Sequence, residues 1–346
     1  MRKPGILRSN LFIRIRSWEY WPFGIVHAPL FLYWLWLSLK ARSLTFFSAS
    51  NPGILMGGMF GESKYDVMCK VPEAVRPKTI RLDYPITREE VMRQLNAEGM
   101  SFPLIFKPDL GERGWRVKKI ESTGDIDAYL RIITLPFLAQ EYVSLPLEFG
   151  VFYVRYPDEP KGRVVSIVGK EMLAVTGNGR DTLRELILKE DRAKLQWSTL
   201  QTRYHSQLDE VIPSGERMEL VSIGNHCLGT KFLNANHLIT ERLHGSFDAL
   251  SRQIEGFYFG RFDLRTASAE DLEEGKVMVL ELNGCGAEPA HIYQPGFPLF
   301  RAIGVLFRHW SDIYRVSLQN RRRGVRFIPF AEARRIYRQF KSLTAA

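Results

Sequence analysis

Arg261-Phe262-Asp263-Leu264-Arg265 and, after eleven intervening residues, the run Val277-Met278-Val279-Leu280-Glu281-Leu282-Asn283-Gly284 decide how this chain reads. Both halves have the character of β-strands, and the stretch between them, TASAEDLEEGK, is polar enough to be a turn. Side chains alternate faces along a strand. Arg261, Asp263 and Arg265 therefore share one face, and Glu281 and Asn283 share one face of the second strand. A simple hairpin register puts Tyr258, Phe262 and Leu264 with Met278, Leu280 and Leu282 as core. It gathers Asp263, Glu281 and Asn283 on the other side, beside two arginines. Three oxygen donors near cations suit a hard divalent metal that completes its shell with phosphate. A half-buried hairpin with an ordinary polar face has the same pattern.

Upstream, Phe102-Pro103-Leu104-Ile105-Phe106-Lys107-Pro108 reads as a strand carrying one lysine. Asp109-Leu110-Gly111-Glu112-Arg113-Gly114-Trp115 reads as a glycine-bearing tip, with a returning strand over residues 116–120. Such a tip can close over phosphates with its N–H groups while Lys107 supplies charge. Hairpin tips also use glycine simply to turn. Thr87 and Glu90 form a T-x-x-E capping signal ahead of Val91, Met92 and Leu95. Phe137-Leu138-Ala139-Gln140-Glu141-Tyr142-Val143 reads as another strand. Residues 148–156 and 163–173 read as two more, joined by the turn Pro157-Asp158-Glu159-Pro160-Lys161-Gly162. The glycine turn of residues 176–182 then leads into a helix over residues 183–189.

Taken in order, these segments resemble the ATP-grasp superfamily, in particular its D-alanine–D-alanine ligase-like branch, over roughly residues 70–300. The resemblance implies an α+β fold: two lobes with antiparallel sheets around a nucleotide cleft, preceded here by a hydrophobic N-terminal helical segment. It implies ATP and Mg²⁺, with Mn²⁺ as the alternative metal. Lys78 would stand at the approach to the nucleotide lobe, and Lys107 and Lys170 on the phosphates. Gly111 and Gly114 would form the lid. The backbone from Gln140 through Glu141, Tyr142 and Val143 would meet adenine, and Glu148 the ribose hydroxyls. Asp263, Glu281 and Asn283 would hold the metal, with Arg261 steadying the transferring phosphoryl group. Glu288 and His291, in the loop after Asn283, are the first candidates for specificity. His226 reads as a substrate contact or, as a lone histidine, more plainly as a structural one.

The activity implied is an ATP-dependent ligase that activates a carboxylate as an acylphosphate and joins it to an amine. A kinase acting on a small molecule and a non-catalytic nucleotide-binding protein at the membrane are the alternatives. The substrates would be small-molecule or lipid-linked carboxylates and amines. Too few residues precede residue 70 for the βα domain with which the family usually begins, which puts substrate identity beyond the resemblance.

The chain has 346 residues, 45% hydrophobic and 25% charged, with a formal net charge of +10 that suits an anionic partner. No zinc-finger spacing or aromatic-interleaved basic stripe appears, so no nucleic-acid partner is expected. Cys69, Cys227 and Cys285 are widely spaced and odd in number, which suits a reducing compartment. Cys285 reads as a small packed residue. Residues 21–39 contain no Asp, Glu, Lys or Arg, are rich in aromatics, and are flanked by Arg14, Arg16, Lys40 and Arg42. The run is long enough to cross a bilayer, but Pro22, Gly24 and Pro29 interrupt its first half. A helix lying in the inner leaflet at the cytoplasmic face is expected, with burial against the body or in a homodimer as the other reading. The division expected is residues 1–64 as membrane-associating segment and linker, 65–200 and 201–300 as the two lobes, and 301–346 as a helical tail.

Overall fold

The computed structural model describes residues 9–111, 114–221, 224 and 229–344. Helix α1 (Asn10–Arg16) starts on Ser9, whose hydroxyl accepts from the Phe12 N–H. Helix α2 (Phe23–Ala41) begins after Pro22 and runs unbroken through Pro29, ending at Arg42 in the left-handed region (φ 54°). The prolines therefore mark its start and an interior turn rather than an interruption.

Residues 46–64, expected as a linker, are instead packed into the body. Phe46, Ala49 and Met56 are fully buried. Asn51 stitches the segment to the sheet: its amide donates to Gly57 O at 2.9 Å and Phe259 O at 2.7 Å, and its oxygen accepts from the Tyr258 and Phe259 N–H groups. Gly57 and Gly58 take positive φ, and a Cβ on Gly58 would stand 2.6 Å from the Gly284 Cα. The glycines that suggest a flexible tether are here a device for close backbone approach.

Helix α3 (Lys64–Cys69) follows, then β1 (Thr79–Leu82), α4 (Arg88–Ala97), β2 (Leu104–Pro108), β3 (Lys118–Ile120), α5 (Thr123–Leu130) and β4 (Phe137–Glu141). The four strands pair antiparallel in the order β1-β4-β2-β3. Phe106, Phe137 and Tyr129 form the centre of this lobe's core under α4 and α5. Thr87 caps α4 as its T-x-x-E signal predicts.

Strands β5 (Leu147–Val154) and β6 (Arg163–Glu171) do not belong to that first sheet. They join β9 (Lys231–Asn234), β10 (Phe259–Thr266) and β11 (Met278–Asn283) in a five-stranded antiparallel sheet of order β11-β10-β5-β6-β9. The chain thus passes from one sheet to the other at the β4–β5 connection, and residue 200, the expected boundary, lies between β6 and β9. Between β6 and β9, β7 (Ala174–Thr176) pairs with β8 (Arg217–Glu219) around α6 (Leu183–Lys189), α7 (Asp191–Leu195) and α8 (Trp197–Arg203).

Helix α9 (Glu241–Arg252) precedes β10, and α10 (Ala269–Glu274) lies between β10 and β11. The polar stretch read as a turn is therefore a short helix, started by the Ser268 cap and closed by Gly275 at φ 74°. The hairpin register also carries a β-bulge: Asp263 faces Glu281, but Leu264 faces Val279. Leu280 is the extra residue, so Val279 and Leu282 enter the core, while Met278 and Leu280 are only half-buried.

One face of the five-stranded sheet packs Val151, Tyr153, Phe262 and Leu264 against α9 and its neighbours. The other face is divided along the strands. At one end Phe152, Val154 and Phe259 are covered by residues 46–59 and by α11 (Leu299–Arg322), which opens the helical tail. At the other end, toward Glu148, the same face carries charges. Helix α2 lies along α11, with Leu30 against Leu306 and the Tyr33 hydroxyl 2.8 Å from Ser311 Oγ. The last described helix is α12 (Phe330–Thr344).

Candidate active site

The charged end of the five-stranded sheet is built by alternation. On β10, Arg261, Asp263 and Arg265 stand opposite Phe152, Gly150 and Glu148 of β5, and Asp263 and Arg261 stand opposite Glu281 and Asn283 of β11. The glycine at 150 makes the arrangement possible. A Cβ there would meet Val168 Cγ1 at 2.9 Å, Arg261 Cδ at 3.1 Å and Asp263 Oδ1 at 3.2 Å. An isolated glycine inside a strand signals such an approach, and it went unread in the sequence.

Asp263 is the centre of the ion-pair network. Arg261 Nη2 lies 2.9 Å from Oδ2, Lys170 Nζ lies 3.1 Å from Oδ1, and the Asn283 amide donates to Oδ2 at 2.9 Å. Burial works to raise the Asp263 pKa, but Arg261 and Lys170 outweigh it and hold the carboxyl at about 2. Lys170 also reaches Glu148 Oε1 at 3.1 Å, and Glu148 Oε2 takes Arg265 Nη2 at 3.0 Å. Burial pulls the Lys170 pKa down, yet Asp263 and Glu148 together leave it raised. Arg265 Nη1 donates to Val143 O at 2.8 Å, which ties the site to the connection between the lobes.

Lys107 has different company. It is buried on β2, and its ammonium donates to Gln140 Oε1 and to Leu280 O, both at 3.0 Å. The bulge in edge strand β11 presents that Leu280 carbonyl to the first lobe, where Gln140 Nε2 also reaches it at 3.4 Å. Both close partners of Lys107 are neutral. Burial accordingly pulls its pKa down to about 8, with Glu281 and Asp263 only partly opposing. Lys64, which the sequence did not single out, donates to Gly111 O and lies 3.7 Å from Glu281 Oε1. Among the described residues this patch gathers Lys64, Lys107, Lys170, Arg261 and Arg265 with Glu148, Asp263 and Glu281, and the Glu288 carboxylate also acts on Arg261.

The structure thus brings together Lys107, Gln140, Val143, Glu148, Lys170, Arg261, Asp263, Glu281 and Asn283. Tyr142 borders the patch, its ring 5.7 Å from the Arg265 guanidinium. Gly111 joins it through its carbonyl, and Gly114 holds positive φ at 71°. Glu112 and Arg113 of the tip lie outside the described residues, as do Asn225, His226, Cys227 and Leu228. Gly224 sits directly on the Glu148–Lys170 pair, since a Cβ there would overlap Glu148 Oε1 at 2.2 Å. Lys78 is not brought in: its ammonium donates to Glu98 O and lies 3.5 Å from Glu98 Oε2. Glu141 turns outward and accepts from the Lys78 N–H at 3.1 Å.

The loop after Asn283 presents its groups unevenly. Cys285 is buried, its thiol pushed up to about 12 by burial, and is a packed residue. His291 is buried with Nδ1 2.6 Å from Ser166 Oγ and is pulled down to about 4 by burial, so it stays neutral. Glu288 accepts from Tyr293 Oη at 2.5 Å and pairs with His27 Nε2 of α2 at 2.8 Å. Its backbone carbonyl accepts from Arg261 Nη1 at 3.2 Å. The N-terminal helix is therefore joined to the loop that steadies Arg261. No local signal foretold a contact across so many residues.

Asp263, Glu281 and Asn283 fit a divalent metal of the Mg²⁺ type as far as donor chemistry goes. Among the described residues no group of three or more His, Cys, Asp or Glu comes together as a metal cage. The set here is two carboxylates and one amide, which leaves most of a metal's shell to phosphate and water. Glu281 is a third exposed and Asp263 is buried, so the open side of the set faces outward past Glu281.

No family model matches the chain, and no curated protein matches it. Among solved structures it is similar to the VanG D-Ala:D-Ser ligase from Enterococcus faecalis, with 14% identity over 76% of this chain and 62% of that one, at a TM-score of 0.43. It is also similar to the D-alanine–D-alanine ligase from Bacillus anthracis, with 13% identity over 79% and 72% of the two chains and a TM-score of 0.42. A third is a bifunctional glutathione synthetase from Pasteurella multocida, with 13% identity over 71% and 36%, and a TM-score of 0.36. The chain spans less than two thirds of the length of the first and the third.

Proposed function

We propose that this chain is an ATP-dependent ligase of the ATP-grasp type, which activates a carboxylate and joins it to an amine at the inner face of a membrane. The observation that carries the reading is Lys107: a buried ammonium, held by two neutral oxygens, in a patch that among the described residues holds more cations than carboxylates. Such a group is one anion short, and a nucleotide phosphate supplies it. The residues of the strand-tip-strand hairpin and of β10–β11 resemble the family's phosphate and metal segments, and they converge on that same lysine.

In this reading Lys107 and Lys170 grip the phosphates, while Arg261 stabilises charge on the transferring phosphoryl group. Asp263, Glu281 and Asn283 hold the Mg²⁺ that neutralises phosphate charge. Phosphoryl transfer converts the carboxylate, whose leaving group would otherwise be oxide, into an acylphosphate that an amine opens. Arg265 and Glu148 position rather than react: Glu148 keeps Lys170 in place, and its remaining oxygen lone pairs are available to a ribose. Lys64, on Gly111 O, pins the lid's first residue over Glu281.

The membrane part rests on α2. Phe23, Ile25, Phe31, Leu32, Trp36 and Leu39 are exposed, while Leu30 and Leu37 hold the helix on the body. A helix tied along its length to α11 is placed to lie on a bilayer rather than to cross it. An amphiphilic or lipid-linked substrate suits that placement, since Glu288 beside Arg261 is bonded to His27 of the same helix.

The direct test is a screen of acid and amine pairs for ADP release and amide product by the full chain. ADP release without amide product favours the kinase alternative, and no stimulation by any pair removes the ligase reading. The state of Lys107 gives a second expectation. At pH near 8.5 a fraction of Lys107 is neutral, and a bound phosphate raises its pKa, so Mg·ATP binding takes up protons. Calorimetry in buffers of different ionisation enthalpy should show that uptake, and it should fade below about pH 7 where Lys107 is already charged. Uptake unchanged in Lys107→Met would assign it elsewhere.

A further inference from the structure

Helix α12 carries a basic face that nothing above uses. Ala333 and Phe340 are buried, and Tyr337 meets Phe60 edge-on at 5.3 Å, which seats one side of the helix on the body. The other side exposes Phe330, Arg334, Arg335, Arg338 and Lys341. Glu332 is the only acid in the helix. Among the described residues no ion pair joins Arg334, Arg335 or Arg338 to a carboxylate. An open groove of about 350 Å³ is lined by Phe330, Ala331 and these three arginines.

A solvated basic face is ordinary on its own. Here it continues a larger surface. The segment leading into α12 is fastened to the end of α2: Thr45 Oγ1 donates to Ile328 O at 2.6 Å, the Ile328 N–H donates to Ser48 Oγ at 3.0 Å, and Arg321 donates to Ala41 O at 3.1 Å. Lys40, Arg42, Arg322, Arg323 and Arg326 are all exposed around that junction. Exposed cations thus cluster where the end of α2 meets the segment leading into α12, Arg323 being paired with Asp158 at 3.3 Å. Apolar residues that enter the acyl boundary, bordered by cations at headgroup level, match an anionic bilayer surface. Guanidinium forks suit phosphate oxygens, and Phe330 gives the groove an apolar floor for the adjoining glycerol region.

We infer that the exposed face of α12 is a second membrane contact, which takes the phosphate headgroups of anionic phospholipid. The inference deepens the reading of α2 as a helix lying on a membrane, and the two are separable by experiment. The full chain is sedimented with phosphatidylcholine vesicles, with and without phosphatidylglycerol. Wild type should prefer the anionic vesicles, and salt should reduce the preference.

The variant Arg334→Gln/Arg335→Gln/Arg338→Gln, all at exposed positions, should keep the wild-type melting curve. It should lose affinity for anionic vesicles on the order of a hundredfold, while binding to phosphatidylcholine is unchanged. Leu32→Asp/Leu39→Asp should weaken binding to both vesicle types; its failure to do so overturns the α2 reading and leaves the α12 result standing on its own. Equal binding of anionic vesicles by the triple variant and wild type overturns the inference. So does displacement from vesicles by inorganic phosphate at millimolar concentration, which marks a free-phosphate site. Loss of single-stranded RNA binding in the triple variant with vesicle binding intact would assign the face to nucleic acid instead.

Discussion

Glu281→Ala should lower ATP turnover by about 10²–10³, the scale on which a single preorganised charge-stabilising contact acts, while the protein melts as wild type does. Both halves follow from where Glu281 stands. Its side chain is a third exposed and its nearest cation, Lys64, is 3.7 Å away, so its ion pair contributes at most about 1 kcal/mol to stability. Its carboxylate nevertheless faces Asp263 across β10–β11 and supplies one of two negative donors on that face. ADP release and a thermal melt on the same preparation check the two halves together. Turnover near wild type would remove Glu281 from the metal site, and a large loss of stability would make it a structural residue.

Lys170→Met should have the opposite profile in stability. Lys170 lies buried between Asp263 and Glu148, at 3.1 Å from each, and removing it leaves two carboxylates short of a cation. Breaking a buried pair from one side costs about 3–5 kcal/mol, which urea unfolding at neutral pH would read directly. The acid limb should move as well. Asp263 has its folded-state pKa depressed to about 2 from an ordinary 3.8. Its contribution is therefore complete above about pH 4 and disappears as pH falls toward 2. Without Lys170 the depression is smaller, so the variant should gain less stability than wild type as pH rises through that window. Unfolding free energies that match wild type from pH 2 to 7 would contradict the network described.

Much of this site was legible because strand alternation is a local rule. Once residues 261–265 and 278–283 were read as strands, Arg261 shared a face with Asp263 and Glu281 with Asn283, and the hairpin sets the two pairs opposite one another. Lys107 stood out as the one lysine of an apolar strand ahead of a glycine tip, and the family resemblance supplied its phosphate role. What the sequence hid was mainly long-range or register-dependent. The bulge at Leu280 leaves no mark in composition, yet it decides which β11 residues enter the core and offers the carbonyl that Lys107 holds. Residues 46–64 read as a tether because glycine and serine are common in tethers; Gly57 and Gly58 are there so that two backbones can touch. Residues 266–276 read as a turn although Ser268 and Gly275 are a helix cap and stop. Lys78 was drawn in by the family resemblance alone, and its ammonium is held by Glu98. The Glu288–His27 pair joins positions 261 residues apart, and neither histidine nor glutamate announces such a partner.

The central claim is that Lys107 and the β10–β11 face together receive a magnesium-bound triphosphate. Titrating Mg·ATP into wild type and Lys107→Met by calorimetry tests it most directly. The account predicts a saturable, single-site heat for wild type that requires Mg²⁺ and is lost or greatly weakened in the variant. Absence of heat with wild type, or the same isotherm for both proteins, would contradict it.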